Sequence, residues 1–255
     1  MPLKGVGDRF LILLAARILQ LGTAVQRLCE AGHAGEAQPT ARAMVSACVI
    51  LSYLIDDRNG RALAYRATYR TERRKRITRI EQEMTKAAAA GAEFFVKAEM
   101  LAEYKRQEAE LTSVEDKALA ILAEKGVVPT RLGARTDTFT GLNNEWELFE
   151  KMNAVRWYLT YYKDFSDEVH VNANVLYTEM VEQLSGQNHI GAKFEDPLYL
   201  LVATAEMIVN TLELVDRAFN LKQDVALKEI DGHISDALRA FARETSREIG
   251  AGQPA

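Results

Sequence analysis

Residues 153–172, Asn-Ala-Val-Arg-Trp-Tyr-Leu-Thr-Tyr-Tyr-Lys-Asp-Phe-Ser-Asp-Glu-Val-His-Val-Asn, constrain the fold of this 255-residue chain most tightly. The stretch holds no Pro or Gly, and Tyr158, Tyr162, Ser166 and His170 recur every four residues, so in one helix they stack along a single edge. Val155, Leu159 and Val169 mark the apolar edge beside it. Two phenols, a hydroxyl and an imidazole can be buried in a row only if other helices supply hydrogen-bond partners. Polar groups from elsewhere in the chain must therefore meet this edge, either as a core that fixes helix register or as a site.

The remaining sequence is helical in pattern as well. No segment alternates apolar and polar residues long enough to require a strand, so the expected class is all-α: a bundle of about eight helices with a long charged hairpin. Hydrophobic residues at 48%, charged residues at 27% and only five prolines describe a globular chain. It is expected to form a single helical domain over residues 1–250, with residues 59–125 as the hairpin and 251–255 as a flexible tail. A net charge of −4 gives no global reason to bind nucleic acid or anionic lipid, so any such claim needs local clustering. Cys29 and Cys48 sit in apolar helical contexts without metal-ligand spacing, as small buried hydrophobes in a reducing cytoplasm do.

Near the N-terminus the apolar run 10–16 stops at Arg17, short of the ~20 residues that span a bilayer, and is followed by no cleavage pattern. It is expected to be a helix of the folded domain, with Asp8 as its cap, Phe10, Leu13, Leu14, Arg17, Ile18, Leu21, Val25 and Leu28 on its buried face, and its end near Gly32 to Gly35. No membrane contact is expected. The second helix is expected to start at Gln38-Pro39-Thr40, with Pro in the first turn, and to close at Asp56-Asp57. Arg42, Ser46 and Tyr53 are polar exceptions on this apolar element; Arg42 needs a carboxylate or several acceptors if buried, and solvent if not.

The third helix, from Asn59 to about Ala90, is strongly basic. Nine cations (Arg58, Arg61, Arg66, Arg70, Arg73, Arg74, Lys75, Arg76, Arg79) stand against one acid, Glu72, with Tyr65 and Tyr69 between them. Arg66, Arg70, Arg73, Arg74 and Arg76 are the candidate contacts to nucleic acid or another anion, with the tyrosines able to stack on bases. The competing reading is a charge-paired hairpin: beyond a turn at Gly91 come Glu93, Glu99, Glu103, Glu108, Glu110, Glu115 and Asp116, where an antiparallel partner would face the cations. Arms of about 30 residues would reach ~45 Å.

Ser113-Val-Glu-Asp116 reads as a capping start, which would break the acidic arm before it ends at Lys125-Gly126. Residues 126–142 form the one long irregular segment, in which Arg131 and Arg135 could reach an anion but no phosphate-loop motif occurs. Asn143 or Asn144 can cap a helix carrying Trp146, Leu148 and Phe149. Helix is expected to continue from the opening stretch to Leu184, with loop over 185–195. Asp196-Pro197 starts another helix through Phe219, and the last runs near 222–249.

Two of these stretches carry a resemblance. Ala-Arg-Ala-Met-Val-Ser-Ala with Leu-Ser-Tyr-Leu in residues 41–54, and Tyr-Tyr-Lys-Asp-Phe-Ser-Asp-Glu-Val-His at 161–170, resemble the bacterial all-helical family called domain of unknown function 5677. In layout the resemblance spans residues 10–215, and the chain departs from it at Ser46, where the family pattern carries Glu. It implies an all-helical fold and a polar cluster of Arg42, Tyr53, Ser166 and His170, and brings no established chemistry.

Three functional classes follow from the residues. In a binding module, Tyr53, Tyr158 and Tyr162 would contact a ligand or form a hydrogen-bonded core row with Ser166 and His170, and the basic helix would meet a nucleic acid or partner protein, with an oligomer compatible with either. In a metal-independent ribonuclease of the toxin or phage-defence kind, His170 would be the base, with Ser166 and a cation from Arg42 beside it; Arg27 to His33 has the Arg-then-His spacing of that class, but one such match is expected by chance. In a di-metal carboxylate bundle, Glu30 before His33 and Asp167 before His170 have acid-then-His spacing, with Glu206 and Glu213 as further donors. Gly32 beside His33 argues against that set, so no metal and no other cofactor is expected. His189 and His233 are expected to be solvated.

Overall fold

The computed structural model describes residues 5–163, 197–223, 225–230, 232, 233 and 236. Every regular element among them is helical, as the sequence pattern requires. α1 (Val6–Glu30), α2 (Ala34–Ile55), α3 (Arg58–Ala89), α4 (Ala98–Glu124), α5 (Glu145–Lys151), α6 (Val155–Trp157) and α7 (Pro197–Phe219) follow in order, with a π-helical turn (Tyr158–Tyr162) directly after α6. The chain forms two compact units: Met1–Asp8 with Asp57–Glu147, and Arg9–Asp56 with Leu148–Ala255.

In the second unit, α2 is the central helix and packs along α7. Met44, Val45, Cys48, Leu51 and Leu54 on α2 and Leu200, Ala203 and Met207 on α7 are all but removed from solvent. Each such aliphatic side chain contributes about 1.5–3 kcal/mol of burial. α1 closes this layer through Gly22, where an added Cβ would lie 3.1 Å from Ile208, 3.3 Å from Thr204 and 3.4 Å from Met44. The buried face of α1 is Leu11, Ala15, Ile18, Leu21, Val25 and Cys29, of which Ile18, Leu21 and Val25 are where the sequence places them. The face is narrower than expected: Leu13 is 69% exposed and Arg17 is exposed as well, while Leu11, Ala15 and Gly22 join Ile18, Leu21 and Val25 in the seam. α1 ends as expected, with Gly32 in the left-handed region (φ 81) and His33 N–H donating to the Leu28 carbonyl at 2.8 Å. Two details differ. Asp8 lies within the first turn of α1, where its carboxylate pairs with Arg58 at 2.9 Å. α2 starts at Ala34, so Pro39 is inside it, near enough to the N-terminus that its missing N–H removes one early hydrogen bond without breaking the helix.

Three helical stretches, Gly7–Glu30, Ala34–Ile55 and Pro197–Phe219, are long and apolar enough to cross a membrane by length and composition. The expectation from the run 10–16 was too narrow, since α1 continues past Arg17 as an apolar helix.

The first unit is built on the α3–α4 hairpin, whose ends fall where expected. Asp57 caps α3, its Oδ1 accepting from Gly60 N–H at 3.1 Å, and Gly91 (φ 66) turns the chain. α4 runs unbroken through Ser113-Val-Glu-Asp116. A local capping sequence does not end a helix whose flanks are held against a partner helix. The long loop after Gly126 is docked onto the start of α3, with Thr130 Oγ1 donating to Asp57 Oδ2 at 2.5 Å and Thr130 N–H to the Gly60 carbonyl at 3.0 Å. Its two limbs touch at Gly133 and Gly141, where an added Cβ on either would lie 2.1–2.2 Å from the other's carbonyl oxygen. Asn144 caps α5 by accepting from Glu147 N–H at 3.0 Å, and the Glu147 carboxylate reaches back to Asn143 N–H at 3.1 Å.

Candidate functional site

Among the described residues of the opening stretch, helix begins two residues later than the sequence suggests and is not uniformly α-helical. α5 ends in a turn with Asn153 left-handed (φ 55) and Ala154 N–H donating to the Phe149 carbonyl at 2.8 Å, and helix resumes only at Val155. Tyr158–Tyr162 then adopt the wider π turn, which places one extra residue in the helical circuit. The consequence is that Tyr161 and Tyr162, neighbours in sequence, are both buried, while Leu159 is exposed. Ser166, His170 and His189 lie outside the described residues.

Tyr158 and Tyr162 do share an edge: their rings stack at 5.2 Å with 23° between planes, and Phe149 packs against both, with its ring centroid 5.2 Å from each. Arg42 from α2 reaches this cluster. Its Nη2 donates to Tyr162 Oη at 3.0 Å, and its guanidinium carbon lies 4.9 Å from the centre of the Tyr162 ring. The guanidinium is thus held by a phenol and its π face and is not simply solvated. Tyr53 is fully buried on the same helix but about three turns further on, ~16 Å away along the axis, so it does not join Arg42.

A second cluster was not anticipated. Glu206 on α7 accepts from Tyr161 Oη at 2.6 Å and from Trp157 Nε1 at 3.1 Å, and Arg156 lies 3.9 Å from the same carboxylate. Burial, followed by the hydrogen bond to Glu206, holds the Tyr161 phenol well above its ordinary range. Tyr199 packs its ring 5.6 Å from Tyr161 and donates to the Thr160 carbonyl. The sequence signal for this cluster was the Trp157-Tyr161 spacing of four, which coincides with an acid on a helix otherwise apolar at that level. The sequence marks Glu206 only as a metal donor, whereas its oxygens are bonded to two aromatic donors. Among the described residues, no group of three or more His, Cys, Asp or Glu could hold a metal ion.

In the first unit, the basic helix meets acids from α4. Arg70 pairs with Asp116 at 2.6 Å, Arg73 with Glu108 at 2.8 Å, and Arg74 lies 3.7 Å from Glu108. Lys105 on α4 pairs back to Glu81 on α3. Glu93 lies in the turn before α4 and is exposed. The hydrogen bond from Arg70 depresses the Asp116 carboxyl, and on α4 itself Arg106 and Gln107 hold Glu103 down at about 2. Arg66 is half-buried and partnered. Arg76 and Arg79 are exposed and make no ion pair among the described residues. Tyr65 packs edge-on against Phe139 at 4.9 Å, while Tyr69 lies exposed with Arg73 at 5.1 Å from its ring centre. The loop arginines are engaged internally: Arg131 Nε donates to the Thr138 carbonyl at 3.0 Å, and Arg135 forks onto Asp137 at 2.9 and 2.5 Å, holding that carboxyl down at about 2.

α3 therefore has two kinds of cation. Those on the α4 side are neutralised, whereas Arg74, Lys75 and Arg79, with Thr71, Thr78 and Gln82, line an open concavity of about 480 Å³. Glu72, paired with Lys75 at 2.8 Å, and Glu108, 3.7 Å from Arg74, offset part of the charge there, and Arg79 makes no ion pair among the described residues.

No curated protein and no solved structure matches the chain. Residues 8–188 match the model of the family of unknown function DUF5677, and the chain belongs to that family.

Proposed function

We propose that the protein is a helical binding module whose α3 grips the phosphate backbone of a nucleic acid along the strip Thr71, Arg74, Lys75, Thr78, Arg79 and Gln82. The division of cations on α3 carries this reading. Acids from α4 pair closely with Arg70 and Arg73, while the other side is a concave row of two arginines, a lysine and three hydrogen-bonding side chains at i, i+3 and i+4 spacing, in which Arg74 has only a long, exposed pairing to Glu108 at 3.7 Å. Arginine forks, hydroxyls and amides are the groups that contact phosphate oxygens without reading sequence. The Arg42–Tyr162 and Tyr161–Glu206 clusters serve as internal polar cores that hold α2, the π turn and α7 in register. The reading treats both units as one functional domain with the hairpin as its binding arm, and takes the protein to be cytoplasmic. The apolar helices have each other as partners, α2 along α7 and Gly22 of α1 against Met44 and Ile208.

Gel-shift titration of labelled single-stranded RNA and duplex DNA with the wild type and with Arg74→Gln/Lys75→Gln/Arg79→Gln tests the reading. Retarded complexes with the wild type and at least about tenfold weaker binding by the variant are expected. Equal binding by both would remove it.

A second reading, metal-independent RNA cleavage with His170 as base and Ser166 beside it, draws on one observation: the half-buried Arg42 guanidinium is held ready at Tyr162. The same RNA, followed for fragments, tests it. Cleavage by the wild type that disappears in His170→Ala and in Arg42→Gln is expected on that reading, and intact RNA throughout excludes it.

A further inference from the structure

We propose that the groove between α3 and α4 is a docking surface for a second copy of this chain, which closes two hairpins into a four-helix bundle. A helix that packs on one neighbour needs one seam, and α4 has two. Towards α3 it turns Glu108 and Asp116, ion-paired with Arg73 and Arg70. Beside that face runs a second row, Met100, Tyr104, Gln107 and Leu111, which continues through positions 114 and 118 to Ile121 in alternating steps of four and three. Alternation of this kind has a period of 3.5 residues, the signature of a helix that packs along its whole length on another helix. Four of its positions are open to solvent: Met100, Tyr104, Leu111 and Ile121 are 45%, 42%, 48% and 54% exposed.

α3 supplies the matching wall. Ile77, Ile80, Arg73 and Arg76 line a cavity of about 310 Å³ with Tyr104, Gln107 and Leu111. Two features point to a second copy as the occupant. The rims carry opposite charge, since Arg76 on α3 has no ion-pair partner among the described residues while Glu103 and Glu110 stand on the far side of α4, held only by Arg106 and, for Glu103, Gln107 of their own helix. An arrangement that sets each α3 beside the partner's α4 repeats the base-against-acid pairing already made within one hairpin, and a two-fold axis makes both contacts at once. Gln107, the one polar residue among the named seam positions, would fix the register, as single polar residues do in coiled coils. The groove lies on the other side of α3 from the Thr71–Arg79 strip, so this inference stands independently of nucleic-acid binding.

Sedimentation equilibrium of the full chain from low to high micromolar concentration tests it. The wild type is expected to be a dimer. Tyr104→Glu/Leu111→Glu is expected to sediment as a monomer with an unchanged helical circular-dichroism spectrum. Should that double variant lose helix, Ile121→Glu, at a more exposed point of the same row, is expected to weaken the dimer by about tenfold or more. A wild type that stays monomeric, or folded variants that dimerise as well as the wild type, would overturn the proposal.

Discussion

Arg73 Nε lies 2.8 Å from the Glu108 carboxylate, and both side chains are largely buried, at 20% and 11% exposed. This pair joins the two arms of the hairpin and decides which α3 cations are spent internally. Glu108 also faces Arg74 at 3.7 Å, so Glu108→Gln leaves two guanidinium groups without their acid. We expect that variant to lose about 1–3 kcal/mol in thermal or urea unfolding, the range for breaking a pair that still has some solvent. Asp116→Asn, at the more exposed Arg70 pair, should cost under about 1 kcal/mol. Equal costs at both positions would show that burial does not rank these pairs.

Gly133 and Gly141 are the loop's closest approach. Gly133→Ala or Gly141→Ala forces a Cβ into the opposing backbone carbonyl, and Gly141 is left-handed as well (φ 76). Each should destabilise the first unit by about 1–3 kcal/mol. Because Thr130 of the same loop bonds to Asp57, hydrogen exchange at the first turn of α3 should quicken in these variants.

Tyr161 gives a pH signature. Its folded phenol is held above the ordinary value by burial and by Glu206, so its contribution to stability is complete below about pH 10, the unfolded value, and is lost as pH rises above it. Tyr161→Phe should cost about 1–2 kcal/mol at neutral pH and flatten the loss of stability in alkali. Ultraviolet titration should show the variant lacking one tyrosine that ionises above the ordinary range. An unaltered alkaline limb would contradict the Tyr161–Glu206 assignment.

Thiol reactivity checks the core. Burial pushes the Cys48 thiol up to about 12, with its Sγ 3.5 Å from Thr211 Oγ1, and burial, aided by Glu30, raises Cys29. At pH 8 the Cys48 thiolate fraction is then on the order of 10⁻⁴. Native protein should react slowly with a thiol reagent at both positions, and denatured protein should yield two thiols at once. Rapid labelling of Cys48→Ala but not of Cys29→Ala would locate an opening of α1 rather than of α2.

Elements set by strong local signals were legible in the sequence. Gly32, Gly91 and Gly126 as stops, Asn144 as a cap and the antiparallel pairing of basic with acidic helices all follow from short-range chemistry. What failed depended on packing between elements. Leu13 is exposed because α1 buries the side that carries Leu11, Ala15, Ile18 and Gly22, and α4 ignores the capping sequence at Ser113 because its neighbour holds it straight. At the polar cluster, the four-residue repeat correctly joined Tyr158 to Tyr162. It missed Tyr161, because a π turn cannot be read from a pattern that assumes 3.6 residues per turn. Arg42 was singled out as a polar exception, but its partner, a phenol 120 residues away, is a tertiary fact.

The most direct test of the binding account is the salt dependence of RNA affinity, followed by fluorescence anisotropy between about 50 and 200 mM salt. Three cations on the α3 strip should give a slope of log K against log salt near −2 for a single strand, and Arg79→Gln should make it shallower by about 0.7. A slope near zero, or one that the Arg74→Gln/Lys75→Gln/Arg79→Gln variant leaves unchanged, would contradict the account.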